Sequence, residues 1–174
     1  MIDIRSKIEK ELLAYYFLNI TAKHYLQELA RLLKLNPGNL DKKLKQLEEK
    51  GLFLSEWRGN HRVYFLNRDF PLFREYQRII NKTYGIEGEL KKALKTVPKI
   101  QEAYIFGSYA GGSFDSLSDI DLLVIGEHDP LVLSKALNKL ESRFSREINV
   151  VEMAPDEKNP FLAKILSGNK IQII

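Results

Sequence analysis

The 174-residue chain contains no cysteine, a single tryptophan, two methionines and three histidines. Without cysteine there is no disulfide framework and no thiolate metal site, and His24, His61 and His128 do not fall at the close spacings of structural zinc. No apolar run approaches the roughly 20 residues that cross a bilayer, and the charged start MIDIRSKIEK lacks the apolar segment of a signal peptide. The sequence therefore predicts a cytoplasmic protein with no membrane partner. There is no internal repeat and no low-complexity segment. At 44% hydrophobic and 29% charged, the composition is that of a folded chain, long enough for one ordinary domain or two small ones.

Charge is divided unevenly. Residues 1–84 hold 16 Lys+Arg against 10 Asp+Glu, net +6, and residues 85–174 hold 11 against 13, net −2. A basic first half and a mildly acidic second half suggest two modules, the first suited to a polyanion.

The stretch FGSYAGGSFDSLSDIDLLVI, residues 106–125, carries the chemistry. Residues 101–106 read as a strand, after which Gly107 permits a sharp turn and Ser108 offers an amide and a hydroxyl to an anion. Gly111 and Gly112 extend the permissive loop. From Asp119 onward the pattern alternates, so Asp119, Asp121 and Leu123 share one face of a second strand. Two neighbouring carboxylates repel one another unless a cation lies between them. Oxygen ligands at a strand mouth suit Mg²⁺, which also takes phosphate oxygens and water. A plain turn with Asp119 bonding amides would leave the glycines and Asp121 unexplained.

This spacing resembles the signature of the nucleotidyltransferase superfamily that includes DNA polymerase beta, in particular its minimal members. The resemblance implies that Gly107 and Ser108 contact nucleotide phosphates and that Asp119 and Asp121 hold the metal and are catalytic. Gly112 and Ser118 join the nucleotide-binding candidates. It further implies a third carboxylate on a neighbouring strand. There the chain departs: the aligned position is Asn149, which cannot act as a base, and Glu147, two residues earlier on the same face, is the catalytic stand-in. Gly111 stands where many relatives carry Arg. The expected substrates are Mg²⁺ and an NTP, with ATP the first candidate. The acceptor hydroxyl is open among a small molecule, an RNA end and a protein Tyr or Ser; some minimal members are antitoxins that adenylylate a partner toxin.

The first half reads differently. Helical spacing over 4–18 and about 22–33 is followed by Asn36-Pro37, a helix cap with proline in the first turn, and a third helix ending at Gly51. Residues 52–57 and 62–66 flank Arg58-Gly59-Asn60-His61 as a hairpin. Three helices and a hairpin resemble the winged helix-turn-helix domains of prokaryotic regulators. That resemblance implies a double-stranded DNA partner and a role in transcription regulation, with Asn39, Lys42, Lys43 and Gln46 on the recognition helix and Arg58, Asn60, His61 and Arg62 on the wing. Specific affinity would call for a homodimer. A solvated lysine-rich face or a protein-docking module is the alternative.

The expected architecture is a two-domain α/β (α+β) chain. It comprises a winged helix-turn-helix over 1–68, a helical connector over 69–97 and a small mixed-sheet nucleotidyltransferase fold over 98–174. Helices are expected over 70–83, 86–97, 130–144 and 155–167, with a strand over 147–153 and another over 170–174. Two functional readings follow: nucleotidyl transfer coupled to DNA, and a DNA-binding regulator whose transferase-like domain only binds nucleotide.

Overall fold

The computed structural model describes residues 4, 6–112, 118–157 and 159–174. The chain divides into two units, Met1–Gly85 and Ile86–Ile174.

In the first unit, α1 (Lys7–Leu18) starts at Ser6, whose hydroxyl accepts the Glu9 amide at 3.1 Å. The short strand β1 (His24–Tyr25) leads into α2 (Leu26–Leu32). Then α3 (Pro37–Glu49) is capped by Asn36, which accepts the Asn39 amide at 3.1 Å, with Pro37 in its first turn, where a missing N–H costs nothing. Strands β2 (Phe53–Arg58) and β3 (His61–Leu66) form a hairpin whose register pairs Arg58 with His61 across the two-residue turn Gly59-Asn60. Gly59 adopts φ +59, as such turns require. The three strands lie in the antiparallel order β1-β3-β2. Leu12, Leu13, Tyr16, Leu29, Leu40, Leu44, Leu47 and Phe53 are fully buried, each leucine contributing about 1.5 to 3 kcal/mol of burial free energy. The Tyr16 hydroxyl donates to the Tyr64 carbonyl at 2.8 Å, fixing α1 to the sheet.

The sequence reading is corrected at several boundaries, among them the start of α2 and the connector. The helix expected from about 22 begins only at Leu26, because His24 and Tyr25 pair with Tyr64 and Val63 and the Tyr15 hydroxyl holds His24 Nε2 at 2.6 Å. Tertiary pairing there overrides helical periodicity. The expected connector is also divided: α4 (Phe73–Thr83) belongs to the first unit, with Phe73 against Phe17 at 5.3 Å between ring centroids, and α5 (Ile86–Leu94) to the second.

The second unit continues with β4 (Ile100–Phe106), α6 (Gly107–Gly111), β5 (Ile120–Gly126), α7 (Pro130–Phe144), β6 (Ile148–Met153), α8 (Pro160–Ser167) and β7 (Ile171–Gln172). The strand order is β6-β5-β4-β7, with β5 and β6 parallel and the other pairs antiparallel, a mixed sheet as expected. Residues 122–124 are fully buried on alternating sides, so both faces are covered. On one face Tyr104, Leu123, Ile125 and Met153 pack against Ile165 of α8. α8 begins five residues later than the sequence suggested, at Pro160 rather than Pro155, because Asn159 caps it by accepting the Phe161 amide at 2.9 Å.

Candidate functional site

The site forms where β4 ends and β5 begins. Their register sets Phe106 opposite Asp121, so the turn after Phe106 must pass directly by the Asp121 carboxylate. Gly107 makes that passage with φ +69, and a Cβ placed there would stand 2.1 Å from Asp121 Oδ2. Any other residue would strain the turn and displace it or the carboxylate. Ser108 follows, half-buried in α6, and Gly112 closes the element at φ +78. Residues 113–117 of the motif lie outside the described residues. Ser118 is half-buried and Asp119 is exposed immediately before β5.

Asp121 is half-buried and is hydrogen-bonded by Asn149, its partner in the parallel register with β6. Burial raises its pKa, the Asn149 hydrogen bond opposes that, and the charge of Asp119 raises it further. Burial and the neighbouring Asp119 thus both disfavour the ionised form of Asp121, which a bound cation would restore. Two carboxylates and an amide oxygen at an open sheet end are hard donors that fit Mg²⁺ sharing its shell with phosphate and water. Among the described residues no group of three or more His, Cys, Asp or Glu gathers around a common point. Glu147 is exposed, and its carbonyl accepts the Ile120 amide at 2.9 Å. Asn149, not Glu147, is the residue brought onto Asp121.

Two further contacts escaped the sequence reading. The Tyr109 hydroxyl donates to Glu87 Oε1 of α5 at 3.2 Å, tying α6 down. Burial above all, with the Glu87 charge behind it, pushes the Tyr109 pKa well up, so the phenol stays a neutral donor. Phe161 of α8, 47% exposed, meets Phe106 edge to face with centroids 6.5 Å apart, beside the turn. Neither contact has a local signal, since each joins residues 22 or more apart.

In the first unit the nominated residues separate. Asn39, Lys42 and Gln46 are exposed along α3, and Asn60 and His61 are exposed at the hairpin tip. Lys43 instead turns inward and pairs at 3.2 Å with Glu9, which is 1% exposed. Arg62 of β3 donates to both Glu48 oxygens of α3 at 2.9 Å and to Ser55 Oγ at 2.7 Å, and Arg58 is held by Glu56 at 2.6 Å. Three of the nominated cations are therefore already matched by carboxylates.

The mixed sheet, with a glycine turn pressed on an Asp-x-Asp strand, defines an α/β domain of the nucleotide-transfer class. The family described as "Polymerase beta, Nucleotidyltransferase" matches residues 88–173. A Methanocaldococcus jannaschii protein named "putative protein adenylyltransferase" is 33% identical over 66 residues, covering 36% of this chain and 67% of that protein. The chain belongs to the polymerase beta nucleotidyltransferase family through its second unit. Among solved structures, a toxin-antitoxin crystallised with AMP-PNP is 26% identical over 51% of this chain and 72% of its own, with a TM-score of 0.42. A complex of tri-AMPylated Shewanella oneidensis HEPN toxin with its MNT antitoxin is 24% identical over 51% and 68%, with a TM-score of 0.37. No helix among the described residues is long and apolar enough to cross a membrane.

Proposed function

We propose that the second unit transfers a nucleoside monophosphate from an NTP, with ATP the first candidate, to a protein hydroxyl. The observation that carries this reading is the contact of Gly107 with Asp121, which allows one small turn to serve both a phosphate tail and a carboxylate pair. The similar archaeal protein bears the name of a protein adenylyltransferase, which favours ATP and a protein acceptor. Asp119 and Asp121 would hold Mg²⁺, which when bound neutralises charge developing on the pyrophosphate.

The chain's own residues do the positioning. Gly107 and Ser108 present backbone and hydroxyl donors to the triphosphate, with Gly112 and Ser118 bordering the same loop. Asn149 orients the Asp121 carboxylate through its hydrogen bond. A bond forms between the acceptor oxygen and the α-phosphorus as the bond to the bridging oxygen breaks, and pyrophosphate leaves. The acceptor proton passes to Glu147 or to solvent, because the Asn149 amide cannot take it.

The test is pyrophosphate release and label transfer from [α-³²P]ATP to candidate protein acceptors, in wild type and Asp121→Ala. Transfer lost in the variant supports the reading, and Mg²⁺-ATP binding without transfer to any acceptor sinks it.

A second reading is favoured by Asn149 standing where a third carboxylate was expected. In it the second unit senses nucleotide, and the first binds duplex DNA as a winged helix-turn-helix regulator through Asn39, Lys42, Gln46, Asn60 and His61. The element order α1-β1-α2-α3-β2-β3 supports that module. An operator affinity that changes with NTP in the absence of turnover distinguishes it.

A further inference from the structure

A cleft of about 720 Å³ lies within the first unit, bordered by α2, α3 and the β2–β3 hairpin. That volume falls within the range of small-molecule sites. Tyr25, Trp57 and His61 form its aromatic wall. Trp57 is 71% exposed and Tyr25 39%, and the Tyr25 and His61 rings meet edge to face at 5.4 Å. Gln27 and Asn60 add amide groups, Glu28 a carboxylate held to His24 at 3.0 Å, and Arg31 a guanidinium whose Nε donates to the Gln27 carbonyl at 3.4 Å.

The other cations at the cleft are committed: Lys45 to Asp41 at 2.7 Å, and Arg62 to Glu48 at 2.9 Å. A duplex backbone is held by several uncommitted Lys and Arg side chains, which this cleft does not offer. A flat heterocycle asks for something else: ring faces to stack on, and amides to meet its polar edge. The cleft offers both, with one cation to spare for a phosphate.

We infer that this cleft binds a nucleobase, carried by a free nucleotide or by an unpaired single-stranded end, stacked against Trp57 and the Tyr25–His61 pair. This site is separate from the transferase site and does not rest on that reading.

Trp57 is the single tryptophan of the chain, so its fluorescence reports on this cleft directly. The full-length Asp119→Ala/Asp121→Ala chain, with its second-unit site disabled, is titrated with AMP, GMP, CMP, UMP, ribose 5-phosphate, and single-stranded and duplex oligonucleotides. Saturable quenching by a nucleotide or a single strand is expected, with none from ribose 5-phosphate, and affinity about tenfold weaker in Tyr25→Ala. Asn60→Ala, at the exposed hairpin tip, weakens it in the same direction and guards against a folding defect at Tyr25. Quenching by mononucleotides assigns a free nucleotide, and quenching by single strands alone assigns a nucleic-acid end. Absence of saturable quenching, quenching by duplex alone, or equal quenching by ribose 5-phosphate overturns the inference. Transferase activity does not enter these outcomes, so the two proposals fail independently.

Discussion

At position 107 a single hydrogen stands where any other residue would place carbon against Asp121. Gly107→Ala must therefore displace either the turn or the carboxylate, and a misplacement near 1 Å is expected to lower nucleotidyl transfer about a hundredfold. Pyrophosphate release measures it. Asp121 makes a second prediction at this scale, one that concerns pH. Its pKa in the folded chain lies above the ordinary carboxylate value, so the folded state binds that proton more tightly than the unfolded chain. The resulting stabilisation is fully present below the ordinary value and is lost as pH rises through the folded one. At neutral pH and without metal the ionised group costs stability. Asp121→Asn is accordingly expected to melt about 1 to 3 °C higher than wild type at pH 7 while losing activity, with the gain vanishing under acid. Thermal melts across pH check both halves.

Among the elements, α1 and α3 are joined by a buried charge pair. Removing one partner leaves the buried Glu9 carboxyl without its lysine, so Lys43→Met should destabilise the first unit by about 3 kcal/mol, whereas the exposed Lys42→Met should change it by less than about 0.5 kcal/mol. Urea titration separates the two. This pair also marks where the sequence stopped being readable. Lys43 sits among Lys42 and Lys45 on a helix whose outer face reads as lysine-rich, partly balanced by Glu48 and Glu49, and its partner lies 34 positions away with no local trace. The Gly-Ser and Asp-x-Asp motifs were legible because they are local: spacing and alternation alone place them at the ends of two strands. Asn149 was legible too, since its strand alternates, although its hydrogen bond to Asp121 depends on a register that periodicity cannot supply. The two-residue β1 was missed because it is too short to show a period.

At the scale of the whole molecule, the net charge of the first half overstates what is available to a polyanion. Lys43, Arg58 and Arg62 already hold carboxylates. Under the regulator reading, binding to duplex DNA is thus expected to vary shallowly with salt, with a slope of log K against log salt of about −2 to −3, as for two or three phosphate contacts. Fluorescence anisotropy between low and moderate salt measures it, and a slope steeper than about −6 would mean that the paired cations have been released onto DNA. The contact at Gly107 reaches further still, into descent. Every missense change of that codon adds a side chain that must push aside the turn or the Asp121 carboxylate, so the first step away from glycine is expected to be costly. Among copies of this chain passed between lineages, glycine at residue 107 is accordingly expected wherever transfer is retained, and sequencing them beside an activity assay checks it.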